Sequence, residues 1–204
     1  MAIYLVRHAQ DDEEVRGGWS QLGLIEEGFQ QAKQLGEYLK QHREEFNIKT
    51  LISSDLKRAV QTAHEIEKFL NLKAIYSSEW REMNNGLLAG MLNAEALEKY
   101  PNLFFNTLKM DESYPEGESP KEFYHRIKMV FGQIAECDAA KNQNMMVVTH
   151  SGVINIIYHL VNEIDWTNKS PKLSKISCTG IHKLEYPNGV WNITDCNNTR
   201  HLMP

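Results

Sequence analysis

No run of about 18 consecutive apolar residues occurs in the chain, so the sequence carries no membrane-spanning helix. Cysteine is scarce: Cys137, Cys178 and Cys196 are odd in number and lack metal-ligand spacing, which fits a reducing cytoplasm better than a disulfide framework. Positive charge is in deficit, with 22 Lys and Arg against 27 Asp and Glu and a net charge of -5. That balance speaks against the broad basic footprint of a nucleic-acid binder and requires any anionic partner to meet a local cationic site. The first residues, Met1 to His8, enter an apolar strand-like run at once and reach a charge at Arg7, so no signal peptide fits there. The Asn-x-Ser/Thr triplets at Asn168, Asn192 and Asn197 therefore carry little weight. Internal repeats, low-complexity tracts and Pro/Gly/Ser linkers are also missing. What remains, 204 residues of which 42% are hydrophobic, suits one soluble domain over 1–204. Such a chain can bury roughly 70% of its unfolded surface without a disulfide or metal staple.

Short β-branched runs alternate with longer helical patterns, the signature of an α/β fold with a mostly parallel, doubly wound sheet flanked by helices. Strands are expected at Ile3–Val6, Thr50–Ile52, Lys73–Tyr76 and Met145–Val148. Phe29, Ala32, Leu35 and Leu39 recur at helical spacing within a helix from about Glu26 to His42. Ser53, Ser54 and Asp55 read as caps for a helix from about Leu56 to Leu70. A short helix from about Asn93 is broken by Tyr100-Pro101. Ser119-Pro120-Lys121-Glu122 combines a capping box with proline at the first helical position and starts a helix running to about Cys137. Ser151 opens another. Two closing strands, about Gly180–Glu185 and Val190–Thr194, flank an Asn188-Gly189 hairpin signal. The region around 86–118 has little sheet signal and is expected to form a small cap or insertion over one end of the sheet.

In an open α/β sheet ligands collect outside the carboxyl ends of the strands. Chemistry-bearing groups follow four of the strand-like runs: Arg7-His8, the Ser53–Arg58 segment, Arg81-Glu82, and Thr149-His150-Ser151. Singly, each reads as a structural histidine or a solvated surface charge; together they point to one crevice. Arginine's planar fork matches phosphate oxygens, and a charge-assisted hydrogen bond contributes roughly 1.5–3 kcal/mol. An anion is the expected ligand. A metal on His8, His150 and Glu82 would sit at electrostatic cost beside Arg7 and Arg58, and neither H-E-x-x-H nor a paired Asp motif is present. A cysteine phosphatase needs Arg six positions after its nucleophile, where this chain has Gln143, Leu184 and Leu202. The G-x-x-x-x-G-K-S/T loop and a G-x-G-x-x-G after the first strand are absent too. Histidine remains as the candidate nucleophile.

Arg7-His8-Ala9 after the first strand resembles the R-H-G signature of the histidine phosphatase superfamily, the phosphoglycerate mutase-like family. The likeness continues through Leu24-Ile25-Glu26-Glu27-Gly28 with Gln31-Ala32, and Ser53-Ser54-Asp55-Leu56-Lys57-Arg58-Ala59 with Gln61-Thr62-Ala63. It extends through Glu82 with Gly86 and Gly90, Gly117-Glu118-Ser119, Val147 to Gly152, and the ending Asn197 to Leu202. These blocks span nearly the whole chain in order. The resemblance implies that His8 attacks phosphorus, that Arg7, Arg58 and His150 hold the phosphoryl oxygens, and that Glu82 protonates the leaving alcohol and later deprotonates water. It implies no cofactor and no metal, a small phosphorylated metabolite as partner, and no nucleic acid or membrane.

Three departures stand out. Ala9 replaces the family glycine, placing a methyl where backbone approaches phosphate. Gln10 replaces a common Glu. Asp11-Asp12-Glu13-Glu14 puts four acids immediately beyond the nucleophile, with Asp11 and Glu14 at positions where mutases carry neutral polar residues. The plainer reading of this run is a solvated loop pointing away; the sharper one is a filter against polyanionic substrates. Gln10, Asp11, Glu14 and Ser151 are thus candidate substrate contacts. His42, His64, His125 and His159 read as surface or packing residues, His201 as a tail residue, and Trp19 and Trp80 as core or rim packing. The leading expectation is a metal-independent phosphatase of small phosphomonoesters acting through a phosphohistidine. The alternatives are a phosphoglycerate mutase, which is usually longer, or a noncatalytic phosphate- or phosphoprotein-binding module.

Overall fold

The computed structural model describes residues 1–136 and 143–203. Six strands form one sheet: β1 (Ala2–Arg7), β2 (Ile48–Ser54), β3 (Ala74–Ser77), β4 (Asn144–Thr149), β5 (Ile181–Glu185) and β6 (Asn192–Asn198). Their order is β3-β2-β4-β1-β5-β6. The first four are mutually parallel, and β5 and β6 extend the sheet antiparallel from β1. The helices are α1 (Glu26–Gln41), α2 (Arg43–Phe46), α3 (Lys57–Leu70), α4 (Asn93–Lys99), α5 (Pro120–Glu136) and α6 (Ser151–Val161). No helix among the described residues is long and apolar enough to cross a membrane.

The central strands β1 and β4 are buried along nearly their whole length, as parallel strands covered on both faces must be. Their side chains alternate between two cores. Tyr4, Val6, Met146 and Val148 face Leu35 and Leu39 of α1 and Ala59, Ala63 and Ile66 of α3. Ile3, Leu5, Met145 and Val147 face the opposite layer, with Phe123 and Ile127 of α5 and Val153 and Ile157 of α6. Each large aliphatic chain so buried contributes about 1.5–3 kcal/mol. This is the doubly wound, mostly parallel arrangement that the strand-helix alternation calls for.

The strands and longer helices fall within a few residues of their expected places, and three details differ. Ser53 and Ser54 belong to β2, and the N-cap of α3 is Leu56, which makes no side-chain capping bond. The hydroxyls read as caps serve other purposes, described below. The short helix α2 was not expected; it ends where Asn47 turns left-handed at φ 41°. β6 begins at Asn192 because a 3₁₀ turn, Pro187–Gly189, occupies the hairpin tip, with Asn188 and Gly189 both at positive φ. The capping box at α5 is present: Glu122 N donates to Ser119 Oγ at 3.2 Å and Ser119 N donates to Glu122 Oε2 at 2.8 Å. The expected terminus of that helix, Cys137, lies outside the described residues. The cap around 86–118 comprises a 3₁₀ turn, Gly86–Leu88, then α4 and a series of turns that bury Leu108 and Tyr114 against the core.

Candidate active site

Because β4 lies between β1 and β2, the chain segments leaving these three strands open side by side. His8 follows β1 directly, and its N–H donates to Thr149 O at 2.9 Å, which ties the end of β1 to the end of β4. His150 follows β4, and Ser54 ends β2. Arg58 lies in the first turn of α3.

The two imidazoles are buried, with ring centroids 5.1 Å apart. His8 Nδ1 lies 2.7 Å from Ala9 O. A carbonyl only accepts, so Nδ1 carries the proton and Nε2 presents its lone pair. That lone pair accepts from Arg58 Nε at 3.2 Å. Burial holds the His8 imidazole well below its ordinary pKa, and Arg58 and Arg7 add to the effect. Nε2 is therefore unprotonated at neutral pH.

His150 Nε2 lies 2.8 Å from Ser54 Oγ, and its Nδ1 is buried without a partner. Burial first, then Arg58 and His8, also depress its pKa. With the Ser54 hydroxyl donating to Nε2, the His150 proton sits on Nδ1 as an unused donor. Arg7 gives Nη1 to Ile176 O at 3.1 Å and likewise leaves its buried Nε unpartnered. Unpaired buried polar groups are costly, and Arg7 lies close enough to both imidazoles to depress their pKa. A tetrahedral oxyanion would satisfy both unpartnered groups.

The Arg58 guanidinium is held by Gly18 O at 2.8 Å and by Ser20 O and Oγ at 3.4 Å. Gly18 sits at φ 52°, and a Cβ there would collide with the Asn85 side chain, so the carbonyl that grips Arg58 depends on glycine.

Glu82 approaches from the turn after β3. Its Oε2 accepts from Gly152 N at 2.9 Å and its Oε1 from Met83 N at 3.1 Å. Gly152 is the second residue of α6, and a Cβ there would collide with Glu82 Oε1. The Glu82 carbonyl is fixed by Trp19 Nε1 at 2.7 Å and Arg126 Nη2 at 3.1 Å. Arg126 also donates to Glu79 O and Arg81 O, and pairs with Glu118 through two bonds of 2.8 and 2.9 Å. Glu82 lines an open cavity of about 450 Å³ with Ser151 and Gly152. Phe105, Tyr114, Phe123 and Trp166 give the cavity an apolar lining, and Arg16 and Lys172 line it as well.

The structure thus brings together His8, Arg58, His150 and Arg7, with Glu82 and Ser151 on the adjoining cavity. The acidic run divides. Asp12, Glu13 and Glu14 are exposed, as a solvated loop would be, whereas Asp11 turns inward and its Oδ2 lies 3.4 Å from Arg58 Nε. The reading of the whole run as pointing away therefore fails at its first residue. Gln10 is turned to α1 instead: its N and Oε1 bond the Gln31 amide at 3.1 and 3.2 Å. Ala9 packs its methyl into a small cluster with Leu24 and Ala32. Arg81 makes a bidentate pair with Asp55 at 2.6 Å and lies over Trp19, so it braces the Glu82 turn. Trp80 and His159 are buried, and His201 bonds Thr179 Oγ1 through Nε2 at 2.8 Å.

Sequence reasoning missed Ser54, Arg126 and the lining segment 166–172. Ser54 stood inside a conspicuous block but read as a cap. Arg126 gave no local signal beyond an arginine on a helix, and Trp166 none at all. Among the described residues, no group of three or more His, Cys, Asp or Glu side chains is arranged to hold a metal ion.

Residues 3–199 match the model of the histidine phosphatase superfamily, branch 1. The chain is 27% identical to the uncharacterized phosphatase PhoE of Bacillus subtilis, over 98% of this chain and 96% of that protein. It is 32% identical to phosphoserine phosphatase 1 of Hydrogenobacter thermophilus, over 80% of this chain and 77% of that one. The α-ribazole phosphatase of Shigella flexneri superposes with a TM-score of 0.83 at 18% identity, over 98% and 97% of the two chains, a likeness of fold. The chain belongs to the histidine phosphatase superfamily, and its relatives support a phosphatase or mutase-like function.

Proposed function

We propose that this protein is a metal-independent phosphatase that hydrolyses small phosphomonoesters through a phosphohistidine on His8. The observation that carries the reading is the fixed tautomer of His8. Its Nδ1 proton is committed to Ala9 O, so the lone pair is on Nε2 beside Arg58 Nε, with Arg7 Nε and His150 Nδ1 as unpartnered polar atoms on the neighbouring side chains.

In the first half-reaction, His8 Nε2 forms the bond to phosphorus as the bond from phosphorus to the ester oxygen breaks. Arg7, Arg58 and the His150 N–H bind the equatorial oxygens, where charge is largest in the transition state. Glu82 acts as the acid and gives a proton to the departing oxygen. The alcohol leaves into the aromatic-walled cavity. In the second half, water attacks phosphorus, Glu82 takes its proton, the P–N bond breaks and the lone pair returns to Nε2. Splitting one displacement into two is the general advantage of a covalent nucleophile. Phe105, Tyr114, Phe123 and Trp166 supply apolar contact for the leaving group, and Arg16 and Lys172 suit a leaving group that also carries a carboxylate.

The test is release of inorganic phosphate from an aryl phosphate in excess chelator, together with acid-labile, alkali-stable labelling of the protein in a rapid quench. Both should vanish in His8→Ala. Dependence on an added divalent ion would sink the mechanism; isomerisation of phosphoglycerates faster than their hydrolysis would select a mutase, and ligand binding without turnover a binding module.

A further inference from the structure

Asp11 is the one acid of the 11–14 run that the fold turns inward. Its Oδ2 stands 3.4 Å from Arg58 Nε, the same N–H that lies 3.2 Å from the nucleophilic nitrogen of His8. Both partners are shielded, Arg58 being 2% and Asp11 16% exposed at the side chain. Arg58 Nη1 donates to Ser20 and one Nη2 hydrogen to Gly18, so Nε and the second Nη2 hydrogen are the donors left to meet a ligand. The Nε edge is therefore where a phosphoryl oxygen would meet this guanidinium, and a carboxylate already stands against it. Asp11 is held there by backbone: it bridges antiparallel to Leu24, and Ile25 N donates to Gln10 O at 3.1 Å.

We propose that Asp11 is a built-in competitor for the phosphoryl site, a carboxylate that neutralises Arg58 when the site is empty and opposes every anion that enters. This rests on the reading of the crevice as a phosphate site. It differs from that reading in concerning affinity and selectivity and not the reaction. Burial raises the Asp11 pKa against the opposing pull of Arg58, and burial also lowers that of Arg58. The pair is therefore a poor substitute for two solvated ions and is easily disturbed. The functional consequence is weak retention of inorganic phosphate, the product, and discrimination against ligands with a second negative group close to the scissile phosphate. Arg16 and Lys172 line the cavity that also holds Glu82, so an acid on a leaving group that reaches them meets cationic partners of its own.

The experiment is calorimetric titration of inorganic phosphate into wild type, Asp11→Asn, Asp11→Ser and Glu13→Gln, which requires no turnover. Removing a like charge at this distance in a shielded site should tighten phosphate binding roughly tenfold or more in both Asp11 variants. The exposed Glu13 charge is screened, and its removal should change affinity by less than about twofold. Unchanged or weaker binding in Asp11→Asn and Asp11→Ser overturns the proposal, since Asp11 would then be neutral toward the ligand or holding it. Absence of phosphate binding in all four proteins overturns it as well. If the variants lose their fold by circular dichroism, the carboxyl carbon resonance of Asp11 in wild type decides: it shifts on adding phosphate if the carboxylate competes, and stays in place if it does not. Tightened binding in a protein that releases no phosphate from esters would leave this proposal standing and remove the catalytic one.

Discussion

Glu82 is placed by two backbone N–H groups and by the absence of a side chain at residue 152, and each constraint bears on its role. A carboxyl that must give a proton to a leaving oxygen matters in proportion to how badly that oxygen leaves. Replacing Glu82 by Gln should therefore slow alkyl phosphates by 10²–10⁴-fold and aryl phosphates with good leaving groups much less, a contrast read by kcat on matched substrates. Equal losses on both would remove Glu82 from the acid role. At this scale the sequence was informative where a residue type has few uses. An Arg-His pair after a strand and a second histidine after another point to anion chemistry whatever the fold around them. Ser54 was opaque because a hydroxyl at a strand end can cap a helix or orient an imidazole with the same lone pair, and only the arrival of His150 decides. Asp11 was opaque for a related reason: the four acids look alike in sequence, and only the bridge to Leu24 turns one of them inward.

The elements divide along the same line. α5 was legible to the residue at its start because Ser119, Pro120 and Glu122 provide the cap themselves. Ser119→Ala should cost about 1 kcal/mol and lower the melting temperature by about 2–4 °C, measured by thermal unfolding. Arg126, about two turns into the same helix, donates to the carbonyls of Glu79, Arg81 and Glu82, so α5 braces the turn that carries the proposed acid. α1 and α3 start without side-chain caps, at Ile25 and Leu56, and their periodicity alone marked them. The segment 166–172 could not be assigned to the cavity from sequence, because what puts Trp166 there is its packing against Phe123 and Tyr124 of α5, some forty residues earlier. Long-range packing of this kind leaves no periodic trace.

At the scale of the molecule, His8, His150, His182 and His201, all buried, make stability depend on pH. His182 and His201 are brought down to about 4 by burial, and His8 and His150 well below their ordinary value. Each is neutral in the fold and takes up a proton on unfolding below about pH 6.5. Between about pH 4 and 6.5 the unfolded chain thus binds more protons. Stability is complete above this window and falls as the pH drops through it, by ~1.4 kcal/mol per pH unit for each fully shifted histidine. The melting temperature should be clearly lower at pH 5 than at pH 7, and calorimetry showing no change would refute the neutral state of these rings. Glu122, held below the usual carboxylate range by its bonds to Ser119, adds to the loss only at more acid pH.

The sheet order has a kinetic meaning as well. β1 hydrogen-bonds only to β4 and β5, both encoded after residue 143, so the first strand made is without a partner until the last third of the chain exists. During synthesis the strand that leads into His8 must wait, and such distant pairing is slow to form. When β4 pairs between β1 and β2 it joins the first strand to the β2-β3 half of the sheet and brings His150 beside His8 in the same event. The two buried imidazoles therefore meet only once β4 has paired, with β5 and β6 still to be added at the other edge of β1.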